Sequence, residues 1–425
     1  MNTTTADQTA LTADEAMGGR MLKDAIFKRV MSVGGISVII AVSAIFFYLA
    51  SVVVPLFMPP GVTAEASFAA PGVTSQRTAA LTSEEQREIG VRVGAQGAID
   101  FFSFDTGAVL AQDQVPLPAG ATFTSFDQGE RSTYTVGYGL SDGRVILAKL
   151  GFAATFPDGK RLITPSISYP LGNEPLAADP RGQAIQQLSV QQSDAGSTIV
   201  VLTQDGRLLV SAVNVTTNLM TGETKSQLQQ SEIANAPNDI RQMVIESKQR
   251  ELYVLHGDRS LSRFDISDKS QARLLETINL LPDGQRVTAM TMLSGGFSII
   301  VGTDKGQLMQ WFLVRQPSNE FKLVHIREFP AMPTAITALA PEFHRKGFIA
   351  GDEQGTLGSY YATSERQLFT RKLSDKALIA LAVPPRGNGY LAQDAAGKIY
   401  SAQVDNHYPE VSFHSLWQKV WYESY

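Results

Sequence analysis

The chain has 425 residues, with 36 basic against 41 acidic side chains and a formal charge of −5. That balance argues against a nucleic-acid binder, which needs a basic face to neutralise phosphates. Cysteine is absent, which excludes disulfides, thiolate metal sites, a cysteine nucleophile and a lipidated N-terminal Cys. Avoidance of thiols also suits an oxidising compartment.

Residues 1–19 are Thr/Ala-rich and read as a disordered lead. Arg20, Lys23, Lys28 and Arg29 follow, and then no Asp, Glu, Lys or Arg occurs from Val30 to Ala64. The apolar part, Val30–Met58, is 29 residues, about 43 Å as a helix against a hydrocarbon core of about 30 Å. Ala64-Glu65-Ala66 imitates a signal-peptidase site. A cleaved signal has an apolar region of only about 7–15 residues, so the run reads as an uncleaved transmembrane helix over 30–58. The four basic residues lie on its N-terminal side and set its orientation. They place 1–29 in the cytoplasm and the rest in the periplasm, with the chain in the inner membrane. Gly34-Gly35 offers a close approach to another helix, or two tolerated glycines.

Residues 59–76 (PPGVTAEASFAAPGVTSQ) have linker composition. From 77 to 410 the pattern changes to short Val/Ile/Phe/Tyr-rich runs split by tight turns, an all-β reading. Seven units repeat, among them IGVRVGAQGAIDFFSF, TIVVLTQDGRLLVSAV and SIIVGTDKGQLMQWFL. Their turns centre on Gly97, Gly143, Gly206, Arg259, Gly306, Gly355 and Gly397, between 42 and 63 residues apart. Glycine suits hairpin turns that need positive φ, and the exception at Arg259 directs attention to Gly257. Further short strands precede the hairpins, such as Ile185–Val190 and Ile336–Ala340. Four strands per unit make a propeller blade, so the spacing predicts a seven-bladed β-propeller. The long interval around 144–197 leaves eight blades as the alternative. Neither a Trp-Asp signature nor a Trp repeat is present, since Trp occurs only at 311, 417 and 421.

Residues 411–425 form an amphipathic segment, with Trp417, Trp421 and Tyr422 assigned to a membrane interface.

Chemical motifs are thin. Gly139-Leu140-Ser141-Asp142-Gly143 spells G-x-S-x-G, but alternating residues follow it instead of the helix a nucleophile elbow requires. His256, His325, His344, His407 and His414 have no metal-ligand spacing. Asp142, Asp205, Asp258, Asp304, Asp352 and Asp394 recur once per unit and read as turn residues. His344-Arg345-Lys346 reads as a solvated loop. The chain is therefore expected to be non-enzymatic, without metal or cofactor.

Val33–Phe57 (VGGISVIIAVSAIFFYLASVVVPLF) resembles the first membrane helix of a long, propeller-containing form of phosphate ABC-transporter permease. Ser415–Tyr425 (SLWQKVWYESY) resembles the point where the periplasmic insertion of that family rejoins the permease. The middle resembles it in architecture alone. The resemblance implies phosphate import with a second permease subunit, a cytoplasmic ATPase and a periplasmic phosphate-binding protein. The family continues beyond the position of Tyr425 into the helices that form the translocation path, so no transport residue is carried over. The expectation is a non-catalytic docking portion of a longer permease or a separately encoded subunit. The alternative is a free-standing periplasmic scaffold or envelope-assembly protein.

Overall fold

A computed structural model describes residues 5–54, 61–172, 174–194, 196–217, 224–343, 347–386 and 388–405. The chain divides into two units, an N-terminal helix and a β unit that begins at Pro60 and ends at Asp405.

The helix, α1, runs Thr5–Val53. Its segment Lys23–Val53 is long and apolar enough to cross a membrane. Ile39, Phe46 and Phe47 are each at least 60% exposed, as are Val38 and Val42 on other faces. A helix apolar on every side has no stable place in water. It ends two residues before Pro55, because a residue preceding proline is pushed out of the α region. The disorder expected for residues 1–19 is not seen over Thr5–Gly19, which continue the helix. Ala, Leu, Met and Glu there are strong helix formers and extend a helix already nucleated downstream.

The β unit contains seven antiparallel sheets among the described residues, so seven blades are present. Blade 1 comprises Thr78–Ser83, Ile89–Gly94, Ala98–Ser103 and Val109–Gln114. Blades 2 to 6 begin with the inner strands Phe123–Gln128, Ile185–Ser193, Ile240–Ile245, Val287–Met292 and Ile336–Pro341. Blade 7 takes Leu378–Ala382, Gly389–Asp394 and Lys398–Asp405 from the end of the β unit and Gly61–Ala69 from its start. Gly61–Ala69 pairs antiparallel with Lys398–Asp405, so the last sheet is stitched from both ends of the unit.

Residues 61–69, read from sequence as part of a linker over 59–76, are thus a strand of blade 7. An outer edge strand needs backbone pairing on one side and little side-chain burial, so small Thr, Ala and Ser residues serve there. Val62 and Phe68 are its larger apolar residues. The Phe68 ring meets Phe102 of blade 1 edge to face at 5.7 Å. Gly107 leaves the space, because a Cβ there would lie 2.3 Å from that ring.

The long interval around residue 150 comes from elaboration of blade 2, not from an eighth blade. Its third strand, Arg144–Thr155, is extended and pairs with both Leu162–Ser168 and the short Leu176–Ala177.

Every inner strand carries a register shift near its start, at Ala79, Thr124, Gln186, Arg241, Thr288, Thr337 and Ile379. A bulge raises local twist, which lets seven sheets fan around one axis. Three residues after its first residue each inner strand places an apolar side chain: Leu81, Phe126, Leu188, Met243, Met290, Leu339 or Leu381. The second-to-third-strand turns fall where the repeat predicted them, with Gly97, Gly143, Gly206, Gly306, Gly355 and Gly397 at φ from 78 to 86°. The fourth turn uses Gly257, at φ 57°.

Blade 1 also buries an ion pair. Arg92 and Asp100 lie 2.8 Å apart with side chains 0% and 3% exposed. Arg92 Nε donates to Thr78 Oγ1 at 2.7 Å, and Gln112 Nε2 donates to Asp100 Oδ1 at 2.7 Å. Arg92 Nη2 reaches the carbonyl of Gln76, tying the entering chain to the blade.

Candidate functional site

The inner strands pair with a neighbour on one edge only, so their other edge turns unpaired amides and carbonyls toward the central channel. Buried groups of that kind are costly unless satisfied. The chain satisfies many of them from the preceding blade. Thr124 Oγ1 donates to Ile185 O (2.7 Å), Gln187 Nε2 to Ile240 O (2.8 Å), Gln242 Nε2 to Met290 O (2.9 Å) and Thr337 Oγ1 to Leu378 O (2.6 Å). The amide of Val190 donates to Asp127 Oδ2 at 2.8 Å, and that of Ile245 to Ser189 Oγ at 3.2 Å. These polar side chains tie blade 2 to blade 3, blade 3 to blade 4, blade 4 to blade 5 and blade 6 to blade 7.

Within the channel lies a cavity of about 440 Å³, lined by residues of all seven blades. Its lining is mixed: the polar backbone edges of the inner strands alternate with apolar side chains such as Phe126 and Ile379. Three ionisable residues of blade 2 belong to that lining, Asp127 in the wall and Glu130 and Arg131 in the loop that follows.

Asp127 is half-buried by area and lines the cavity. Burial pushes its carboxyl up to about 7, against hydrogen bonds from Val190, Gln128 and Ser189 that pull the other way. It forms no ion pair among the described residues.

Arg131 opens a short 3₁₀ turn, Arg131–Thr133. Its Nη1 donates to Leu381 O of blade 7 at 2.9 Å and lies 3.5 Å from Leu81 O of blade 1. Burial pulls the guanidinium down to about 10. Three features hold its loop. Glu130 Oε2 accepts from Gln191 Nε2 at 3.2 Å, and the Glu130 amide donates to Gln191 Oε1 at 3.0 Å. Gly129 presses on blade 3, where a Cβ would lie 2.9 Å from Val190 O. Tyr134 closes the turn at φ 54° with its ring against Phe152, centroids 5.2 Å apart.

The sequence reading did not single out Asp127 or Arg131. The signal was present: at the fifth inner-strand position, residues 82, 127, 189, 244, 291, 340 and 382 are Thr, Asp, Ser, Val, Thr, Ala and Ala. Asp127 is the sole ionisable one.

The six turn aspartates do not form a ring of equivalents. Asp352 and Asp394 end a strand three residues before the turn glycine, where blades 3 and 5 place Thr203 and Thr303. Asp352 Oδ1 accepts from the Thr356 amide at 2.7 Å, and Asp394 Oδ1 from the Lys398 amide at 2.9 Å. Thr303 Oγ1 accepts from the Gln307 amide at 3.0 Å in the same manner. Asp142 and Asp205 sit one residue before the glycine and pair with Arg144 and Arg207. Asp304 Oδ1 accepts from the Arg286 amide at 3.1 Å, and Asp258 pairs with Arg241 at 3.3 Å.

Ser141 of the G-x-S-x-G run lies in a hairpin turn, its Oγ accepting from the Thr122 amide at 3.0 Å. A strand follows in place of the supporting helix of a nucleophile elbow. His256 contacts Ser262 at 3.0 Å, and His325 contacts the Arg327 carbonyl at 3.1 Å. Among the described residues no cluster of metal-ligating side chains forms. His344, His407 and His414, Arg345 and Lys346, and the interface residues Trp417, Trp421 and Tyr422 lie outside the described residues. Arg20 lies in α1, as do Lys23, Lys28 and Arg29, whose side chains are exposed.

No family model matches the chain. No curated protein matches it either. Solved structures share the fold. The β-propeller domain of Cps50 (Swd1) from Myceliophteria thermophila aligns at 10% identity and TM-score 0.52, covering 79% of this chain and 98% of that one. Raptor from Chaetomium thermophilum aligns at 11% identity and TM-score 0.54, covering 81% of this chain but 29% of that one. At such identities the likeness concerns architecture alone.

Proposed function

We propose that the chain is a membrane-anchored docking subunit: α1 holds the propeller at the inner membrane, and the ring offers its loops to a protein partner in the periplasm. One observation carries this reading. Lys23–Val53 is apolar on all sides and exposed within the chain, with Lys23, Lys28 and Arg29 grouped at its N-terminal end. Such a helix finds its solvent in lipid, and its basic end stays in the cytoplasm. Rigid rings with loops at both faces suit partner recruitment, a fold-level analogy.

The resemblance of Val33–Phe57 and Ser415–Tyr425 to long phosphate permeases supports a finer version. In it the propeller stands beside a phosphate-importing pore, with the second permease subunit, the ATPase and the phosphate-binding protein as partners. The ring closes with its own strand Gly61–Ala69, which favours the second reading, a free-standing periplasmic scaffold. In-frame removal of residues 61–405, with phosphate uptake and complex assembly measured, separates the two. Impaired uptake or lost co-purification of the binding protein supports the permease reading, and unchanged values for both defeat it.

A further inference from the structure

We propose that one loop face of the propeller rests on the lipid bilayer, with the long hairpin of blade 2 dipping its tip among the headgroups. This rests on the membrane anchor proposed above, and it leaves the opposite loop face to a protein partner.

In antiparallel blades the loops after the first and third strands emerge at one face, and the loops after the second strands at the other. Gly61 opens its strand opposite Asp405, the last residue of the third strand of blade 7, so the chain enters the ring at the first of these faces. Only Pro59 and Pro60 stand between that strand and the apolar run Val30–Met58, which keeps Gly61 within about 10 Å of the end of the run. The hairpin belongs to the same face. Its strand Arg144–Thr155 has 12 residues, where Ala98–Ser103 in blade 1 has 6. Lys149 lies opposite Thr135, the start of the second strand, and beyond it the strand continues paired to Leu162–Ser168. Phe156 in the turn is 66% exposed, and Leu162 is exposed beside it. Arg161 ties the hairpin to Glu84 and Glu88 of blade 1 at 3.2 and 3.3 Å, and the Phe152 ring meets Phe101 with centroids 6.3 Å apart. The exposed ring is therefore carried on a fixed support.

Phe156 is not isolated in this. Among the described residues of the β unit the exposed phenylalanines are Phe156, Phe297, Phe312 and Phe321, and all lie toward the same face. Phe297 sits in the first loop of blade 5, Phe321 begins its fourth strand, and Phe312 is level with Ser298 at the start of its second. Apolar rings gathered at one face mark a contact with a protein or a membrane. The entry point decides between them, because a partner protein has to be recruited whereas the bilayer is already tethered to this face by the chain. Charge permits the contact. Besides the pairs of Arg161, Glu85 pairs with Arg386 and Asp105 with Arg87, so the acids around the hairpin meet phosphate headgroups already neutralised.

The chain lacks cysteine, so a single introduced cysteine carries the one fluorophore. The test uses the full chain in nanodiscs of phosphatidylcholine and phosphatidylglycerol, with brominated acyl chains as the quencher. The fluorophore is placed at Lys160→Cys beside the hairpin tip, at Lys305→Cys on the opposite loop face, or at Val42→Cys in α1, all exposed positions. Quenching is expected at 160 and 42 and not at 305. Adding Phe156→Ser to Lys160→Cys should lower insertion of the tip about tenfold, as the burial of one ring in lipid is lost. The comparison of 160 with 305 decides independently of that variant. Equal quenching at 160 and 305 overturns the proposal, as does tip quenching that Phe156→Ser leaves unchanged. Quenching at 42 without quenching at 160 overturns the lipid contact alone and frees this face for a protein partner. Absence of quenching at 42 overturns the membrane anchor and this proposal together.

Discussion

The ring of Phe68, in the strand contributed by the start of the β unit, lies edge to face on Phe102 of blade 1 with centroids 5.7 Å apart. That contact and the pairing with Lys398–Asp405 fasten blade 7 beside blade 1. Phe68→Ala should cost about 2 kcal/mol, less than a fully buried phenylalanine because the ring is half-buried. Denaturant unfolding of the full chain in micelles measures it. A change below about 0.5 kcal/mol would mean that the strand closes the ring by backbone bonds alone.

Breaking the pair of Arg92 and Asp100 should be far more damaging than removing both partners. Asp100→Leu leaves a buried guanidinium, with an expected loss of about 3–5 kcal/mol. The double variant Arg92→Met, Asp100→Leu should recover most of it, because two apolar groups need no counter-charge. Equal losses in the single and double variants would contradict this account.

Two turn glycines with nearly the same φ should respond differently to alanine. Gly206, at 82°, has open space where a Cβ would go, so Gly206→Ala meets only the left-handed penalty of about 1–2 kcal/mol. Gly306, at 78°, would set a Cβ 2.2 Å from Met332 O and 2.7 Å from Thr334 O. Backbone must move there, and the loss should exceed that of Gly206→Ala by at least about 1 kcal/mol. Matching melting temperatures for the two variants would argue against the close packing of that turn.

Asp127 gives a pH signature. Its folded value is about 7, against 3.8 for an ordinary carboxyl. Between those values the folded chain keeps a proton that the unfolded chain has released, so this residue lowers stability as pH rises through that window. Its contribution is most favourable below the unfolded value and levels off above the folded one. The melting temperature of Asp127→Asn relative to the parent should therefore climb from pH 4 to pH 7 and then flatten. A difference that stays constant over that range would show that Asp127 is already ionised at pH 4.

Composition and periodicity alone determined three things about this protein. They showed an apolar helix long enough to span a bilayer, a ring of seven β units, and turn glycines with positive φ. These are local properties, since a 29-residue uncharged run or a hairpin turn is written in adjacent residues. Only the tertiary structure decided the rest. Residues 61–69 look like linker until Lys398–Asp405, more than three hundred positions away, offers an edge to pair with. Asp127 and Arg131 look like one more charged turn, FDQGER, until seven inner strands gather around one channel and set both residues in its lining. The meaning of a charge depends on what surrounds it in space, and ring closure brings those surroundings together from every part of the β unit.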